Sequence, residues 1–393
     1  MSGSLNNIYN NISFALDIHS EAMSRLQEQV TTGSRINRSS DDPSTAYKVL
    51  GLNSQQRSLE GYMDSLSEVI GILEVSSSVV GDMTSAIAEA KTLLSRITGG
   101  SYNEDIRETT AEGINEILEQ MVLLANTKHS GQYLFGGSNT ASIPYLVERT
   151  NGQITSVTYQ GSSENRDVEV APGVKSSAFY VGDDIFSSDN RSEPVFLGET
   201  GAKAGTGTST VKGSTWLTVT GSEGNYTLSI DDGLSTFTTD GTDTNLAVTN
   251  SETGEILYVD TTEINSTGVE LVSIPGTYNI FNVLISVRDL LKNEKGLSDA
   301  EITELRSNSL DALEEVRSLL SERSVSIGTK IGFMENLNNT LENIEFNTED
   351  ETTRLQEADI AQIAIDLARR EVLYEMSLSV AGKLLSMSLL DFI

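Results

Sequence analysis

The chain of 393 residues contains no cysteine, only two histidines and a single tryptophan. Without cysteine there is no disulfide, no thiolate ligand for a metal and no thiol nucleophile. His19 and His129 have no metal-ligand partner at a useful spacing. The motifs of serine hydrolases, zinc peptidases and P-loop nucleotide-binding proteins are absent from the sequence. We therefore expect a protein without enzymatic activity, bound metal or cofactor.

Positive charge is also scarce, since 26 basic residues face 57 acidic ones and the net charge is −31. Such a chain repels nucleic-acid backbones and anionic membranes, so we expect neither as a partner. The N-terminus has no basic segment followed by an apolar run, which predicts no cleaved signal peptide. The apolar C-terminal stretch contains Glu375 and Lys383, which argue against a membrane span.

The five prolines leave two long segments, residues 44–143 and 276–393, without any proline. Because proline breaks helix interiors, these segments permit very long helices. Apolar residues alternate at spacings of four and three from Leu59 to Leu94, and a further helix is expected at about 103–128. In the second segment, apolar side chains recur every seven residues at Leu313, Leu320, Ile327, Met334 and Leu341. These patterns predict coiled-coil packing.

The middle of the chain is rich in Gly, Ser and Thr, with short β-branched runs separated by turn signals such as Asn151-Gly152 and Pro172-Gly173. We therefore predict an α+β protein: a long-helix coiled-coil bundle formed by both chain ends, with an inserted all-β domain. The predicted divisions are an N-terminal assembly helix (1–40), the N-terminal part of the bundle (41–135), the β-rich outer insert (136–278), the C-terminal part of the bundle (279–350) and a C-terminal assembly helix (351–393).

The insert offers one alternative function, that of a surface adhesin or binding module. Acidic turns at 231–233 and 240–243 hold carboxylates of the kind that bind calcium. Hairpin turns on an acidic surface explain the same residues, and we prefer that interpretation. Trp216 is the sole tryptophan, and no aromatic cluster in the sequence indicates a glycan-binding face.

Both chain ends carry an amphipathic helix pattern with little net charge, in which apolar residues recur at spacings of three and four. A lone helix of this length is marginal in water, so each is expected to need partners. The loop between the first two helices holds Arg35 and Arg38, which are predicted to meet acidic surface on a neighbouring copy. The predicted assembly residues on the helices and the C-terminal tail are Ile8, Ile12, Ala15, Ala22, Leu26, Ile363, Leu367, Tyr374, Leu378, Leu385, Leu390 and Phe392.

The two ends together resemble the flagellin superfamily. The N-terminal likeness rests on Arg25-Leu26, the stretch 32–37 and Asp41-Asp42-Pro43, and the C-terminal one on Leu355-Gln-Glu-Ala358-Asp359. Proline after Asp41-Asp42, the segment 132–140 and the ending 387–393 resemble the members that join hook and filament more than the filament flagellins.

The resemblance implies a structural subunit of the bacterial flagellum, located outside the cell after type III export and polymerising through its terminal helices at the junction between hook and filament. It also implies four partners: other copies of the chain, the hook-side adaptor hook-associated protein 1, flagellin, and an export chaperone for the C-terminal helix. A filament flagellin is the alternative within the same superfamily.

Overall fold

A computed structural model describes the backbone of residues 2–97 and 104–390, and the side chains of residues 10–97, 104–298 and 300–383. Contacts divide the chain into two compact units. A terminal unit combines residues 1–64 with residues 337–393, and a central unit comprises residues 65–336.

Long helices dominate both ends of the chain. In order, they are α1 (Ser2–Thr32), α2 (Pro43–Arg96), α3 (Glu104–Ala125), the short α4 (Gly182–Phe186), α5 (Ile280–Lys292), α6 (Asp299–Gln356) and α7 (Ile360–Leu390). Helices α2 and α6 reach 54 and 58 residues. Proline occurs in these two helices only as Pro43, the first residue of α2. An N–H at this position would have no intrahelical acceptor, so its absence in proline costs no hydrogen bond.

Every seventh residue of α2 and α6 is buried over long stretches, as the heptad pattern predicts. The buried positions are Leu59, Leu66, Leu73, Val80, Ile87 and Leu94 on α2, and Leu313, Leu320, Ile327, Met334 and Leu341 on α6. A seven-residue repeat keeps one stripe of each helix buried along its length. Helix α6 continues six residues beyond the predicted division at 350, and α1 ends at Thr32, before the predicted limit at 40.

The middle of the chain forms antiparallel β-structure. Fourteen strands occur in the described residues: β1 (Lys128–His129), β2 (Gln132–Tyr133), β3 (Tyr145–Thr150), β4 (Gln153–Tyr159), β5 (Arg166–Ala171), β6 (Val174–Phe179), β7 (Val195–Leu197), β8 (Lys203–Ala204), β9 (Gly213–Ser222), β10 (Asn225–Ser229), β11 (Phe237–Thr239), β12 (Leu246–Thr249), β13 (Ile256–Asp260) and β14 (Gly268–Ile274). The first hairpin lies before residue 136, where the insert was predicted to begin.

The largest sheet has the strand order β11-β10-β9-β14-β7, and a second sheet has the order β12-β13-β8. Three hairpins, β1-β2, β3-β4 and β5-β6, complete the β-structure. Strands β9 and β14 pair over seven residues, from Gly268 opposite Val219 to Ile274 opposite Gly213. Side chains from both larger sheets, including Leu217, Val259 and Val272, form one buried apolar cluster.

A buried aromatic cluster joins the β3-β4 hairpin to helices α4 and α5. The ring centroids of Phe135 and Phe186 are 4.8 Å apart, and those of Tyr145 and Phe281 are 5.0 Å apart. Close to it, the buried Arg288 of α5 donates from Nη1 to the carbonyl oxygen of Ile154 at 2.6 Å. The predicted fold class, a helical bundle from both chain ends with a β-rich insert, is confirmed.

Candidate assembly interface

Helices α1 and α7 lie side by side in the terminal unit, and each is 31 residues long. On α1, the predicted seam residues are half-buried: Ile12, Ala15, Ala22 and Leu26. On α7, Ile363 is buried, while Leu367 and Tyr374 are half-buried. The two stripes recognised in the sequence are therefore the partly buried faces of the pair.

Leu378 departs from this pattern, since 49% of its surface is exposed. A straight α-helix advances by about 100° per residue. The partly buried stripe of α7 consequently continues from Tyr374 through Ser377 to Ala381, with Leu378 at its edge. Ile8, Leu385 and Leu390 belong to the two helices, but their side chains lie outside the described residues, as does all of Phe392.

A second apolar face of α7 escaped the sequence analysis. Ile365, Val372, Met376 and Val380 are 62%, 56%, 60% and 50% exposed. Their spacings of seven, four and four place them along one side of the helix. The spacing of these four residues is visible in the sequence. However, the stripe through Ile363 and Leu367 is enough to explain an amphipathic helix, so a second apolar face was not predicted. We refer to these four residues as the outer face of α7.

Polar side chains border the α1–α7 pair. Glu21 and Arg25 form an ion pair at 2.7 Å, and Nη1 of Arg370 lies 3.4 Å from Nδ1 of His19. The side chains of Glu21 and Arg25 are more than half exposed, so this ion pair contributes little to stability. Between the helices lies a groove of about 710 Å³, lined by Ile18, Glu21, Ala22, Arg25, Leu26, Gln29, Asp366, Arg369, Arg370 and Leu373. His19 itself is half-buried beside Arg370.

The loop between α1 and α2 is organised by its glycine and aspartates. Gly33 adopts a φ of +69°, and its N–H donates to the carbonyl oxygen of Gln29 at 2.9 Å, which closes the end of α1. Asp42 caps α2, because its carboxylate accepts from the hydroxyl of Thr45 at 2.6 Å and from the N–H of Thr45 at 3.1 Å. These hydrogen bonds, the hydroxyl one first, lower the pKa of Asp42. Asp42 is thus the N-cap of α2, and Pro43 is its first residue, as the order Asp-Pro in the sequence indicates.

Both arginines of the loop have partners within the chain. Nη2 of Arg35 lies 3.6 Å from Oδ2 of Asp42, and Nη2 of Arg38 lies 3.1 Å from Oε2 of Glu28. The two arginine side chains remain 52% and 66% exposed. Their predicted contact with a neighbouring copy therefore stays a prediction, and any such contact competes with these intramolecular ion pairs.

The acidic turns of the insert use their carboxylates internally. Asp231 accepts from Ser229, Ser235 and Ser251 at 2.8–3.0 Å. Burial raises the pKa of Asp231, but these hydrogen bonds outweigh it and leave the pKa below its ordinary value. Among the described residues, no group of three or more His, Asp or Glu side chains is placed to hold a metal ion.

One described helix, α2, contains an 18-residue window that is apolar enough to cross a membrane by length and composition. However, 44% of that window is buried inside the protein. The buried residues include the heptad positions of α2, so a packed core accounts for the apolar character of this helix.

The bacterial flagellin N-terminal helical region matches residues 4–140, which contain α2, α3 and all but the first two residues of α1. Flagellar hook-associated protein 3 of Escherichia coli strain K12 is 28% identical over 162 residues, which are 41% of this chain and 49% of that protein. The chain is therefore similar to flagellar proteins over its N-terminal helical region. A flagellin of Listeria monocytogenes is 23% identical over 150 residues, or 38% of this chain and 49% of that protein. The chain thus spans about half the length of the curated relatives that it matches.

Solved structures share the fold of this chain. FlgL of Xanthomonas campestris has a TM-score of 0.51 at 19% identity, covering 77% of this chain and 99% of that one. The flagellar junction protein FlgL of Legionella pneumophila has a TM-score of 0.50 at 16% identity, covering 80% and 100%. The resemblance seen in the sequence thus recurs in the N-terminal match and in the shared fold.

Proposed function

We propose that this chain forms the junction between hook and filament in the bacterial flagellum. The observation that carries the proposal is the outer face of α7, four apolar side chains left exposed on a helix that already packs against α1. Such a face on a terminal helix favours burial against neighbouring subunits. The matches to hook-associated protein 3 from E. coli and Salmonella typhimurium favour the junction over other positions in the flagellum.

In this proposal the subunit leaves the cell unfolded through the type III export channel and polymerises at the distal end of the hook. Head-to-tail contacts between identical subunits generate open helical arrays, so the terminal helices join other copies, with hook-associated protein 1 on one side and flagellin on the other. An export chaperone holds the C-terminal helix before assembly. The net charge of −31 keeps the unassembled subunits dispersed and disfavours nucleic acid or membrane as partners.

Deletion of the gene tests the role directly. Cells lacking the subunit should assemble hooks without filaments and release flagellin into the medium. Gold-labelled antibody on isolated wild-type flagella should mark a single band at the boundary between hook and filament. Normal filaments in the deletion strain would exclude the junction role.

Substitutions on the outer face of α7 test the assembly surface. Replacing Val372 and Met376 with serine should abolish incorporation into flagella without changing the circular dichroism of the purified protein. Leu234→Ser is the matched control, because Leu234 is an equally exposed apolar residue, at 69%, in a turn of the insert. Normal incorporation of the V372S/M376S variant would contradict the proposed surface.

A filament flagellin is the second candidate function, because the match to Listeria flagellin spans a similar share of the chain. The copy number separates the two functions. A flagellin should be the dominant protein of sheared filaments, whereas a junction subunit should be present in only a few copies per flagellum. Quantitative mass spectrometry of purified flagella measures this ratio.

A further inference from the structure

Glu270 is a buried acid in the largest sheet of the insert. It lies in β14, and 1% of its surface is exposed. Because side chains alternate along a strand, Glu270 shares one side of the sheet with Val272 and Ile274. Both belong to the apolar cluster between the two larger sheets, as does Leu217, which pairs with Glu270 from strand β9. A carboxyl group therefore occupies a position on the apolar core side of the sheet.

The segment next to Glu270 joins the two larger sheets. Residues 198–202, which we call the strap, run from the end of β7 in the five-stranded sheet to the start of β8 in the three-stranded one. A Cβ added at Gly198 would lie 2.6 Å from Oε2 of Glu270, so glycine lets the strap backbone approach the carboxyl group closely. Thr200 and Ala202 of the strap are themselves buried. Glu270 thus lies under the strap.

The hydrogen bonds of Glu270 suit a neutral carboxyl group better than a charged one. The hydroxyl of Thr200 donates to Oε1 at 2.7 Å, while Oε2 is buried without a partner in the described part of the chain. An ionised carboxylate accepts about four hydrogen bonds, so its charged form is poorly satisfied here. A neutral oxygen without a partner costs far less free energy than a buried charge.

The charged residues around Glu270 do not offset this cost. Strands β7 and β9 contain no Asp, Glu, Lys or Arg, and Glu199 of the strap is an exposed acid. Lys203, at the start of β8, forms an exposed ion pair with Glu263 at 2.5 Å. Burial accordingly raises the pKa of Glu270 above its ordinary value of 4.5, and the hydrogen bonds from Thr200 lower it by less.

We propose that Glu270 is a proton-binding site that controls the strap. With the proton bound, the neutral carboxyl group is compatible with the apolar core, and the strap stays closed against β14. Loss of the proton puts a charge into the core, and the strain is relieved when the strap lifts and water reaches the carboxylate. Because the strap connects β7 to β8, its opening loosens the join between the two sheets. The insert is therefore closed more tightly in acid than at neutral pH.

Amide hydrogen exchange on the full-length protein measures the opening of the strap. Between the ordinary pKa of glutamate and the raised pKa of Glu270, the closed state holds one proton more than the open state. In that range, the protection of residues 198–204 and 268–271 should fall by about tenfold for each unit of rising pH, after correction for intrinsic exchange. In E270Q, which cannot ionise at this position, the corrected protection should not change with pH.

Glu199→Gln is the matched control, since it removes the same charge from an exposed position of the strap. E199Q should keep the pH dependence of the wild type. E270M, which replaces the carboxyl group with an apolar side chain of similar length, should behave as E270Q does. Urea unfolding gives a second readout, in which the stability of E270Q relative to wild type should be greater at about pH 8 than at about pH 4. An equal pH dependence in wild type and E270Q, or its loss in E199Q, would overturn the proposal.

Discussion

Replacing Gly71 in the interior of α2 with alanine should stabilise the protein. A Cβ added at Gly71 meets no atom within 4 Å, and the same holds for Gly81 on α2 and for Gly328 and Gly332 on α6. Glycine in a helix interior costs about 0.5–1 kcal/mol relative to alanine, because it loses more conformational freedom on folding. Because no atom lies close enough to clash with the added Cβ, no steric penalty offsets the stabilisation that alanine provides.

The expected magnitude is about 0.5–1 kcal/mol of added unfolding free energy for G71A, and about 2–4 kcal/mol when all four glycines are replaced. Urea unfolding followed by circular dichroism at the helical band measures these changes in the full-length protein. The combined variant also should shift the melting temperature upward by several degrees.

Gly113 of α3 is the matched control. A Cβ at Gly113 lies 3.1 Å from Cδ1 of Leu93, so the leucine has to move before alanine fits. G113A should therefore gain little or nothing. An unchanged or lower unfolding free energy for G71A, or a gain for G113A as large as that for G71A, would refute this prediction.

Two further predictions concern charged side chains of the central unit. Hydrogen bonds from Arg317 and Lys91 lower the pKa of Glu314 to about 2. Because this folded-state pKa is below the unfolded one, the carboxylate stabilises the fold above the unfolded pKa, and this contribution is lost as the pH falls towards 2. Glu314→Gln should be less stable than wild type near neutral pH and equal to it at about pH 2, by urea unfolding at each pH. Arg288→Met should cost about 2–4 kcal/mol, because it leaves the buried carbonyl oxygen of Ile154 without its 2.6 Å donor; the urea midpoint measures the loss.

The helical part of the fold could be predicted from the sequence because burial in a coiled coil is periodic along the chain. The seven-residue recurrence from Leu313 to Leu341 is a local pattern, and each of its residues is buried. The cap at Asp42 was equally accessible, since an N-cap is decided within about four residues.

Pairings between strands or loops that are distant in the chain could not be predicted in this way. Strand β9 lies between β10, its neighbour in sequence, and β14, which begins 46 residues after β9 ends. The turn signals around Asp232-Gly233 indicate where strands stop but carry no information on which strand pairs with which. The bridge between Ser34 and Glu357 likewise joins two loops whose sequences give no sign of each other.

The outer face of α7 also limits the kind of assembly that the terminal helices can form. Burying the exposed fractions of Ile365, Val372, Met376 and Val380 would contribute about 3–7 kcal/mol, from about 1.5–3 kcal/mol for each fully buried side chain. Association in solution costs about 4–15 kcal/mol in lost translational and rotational freedom. Burial of this one face therefore offsets at most a part of that cost over most of its range. A subunit flanked by neighbours on several sides makes several contacts for a single loss of freedom, so these helices favour ordered arrays over isolated pairs.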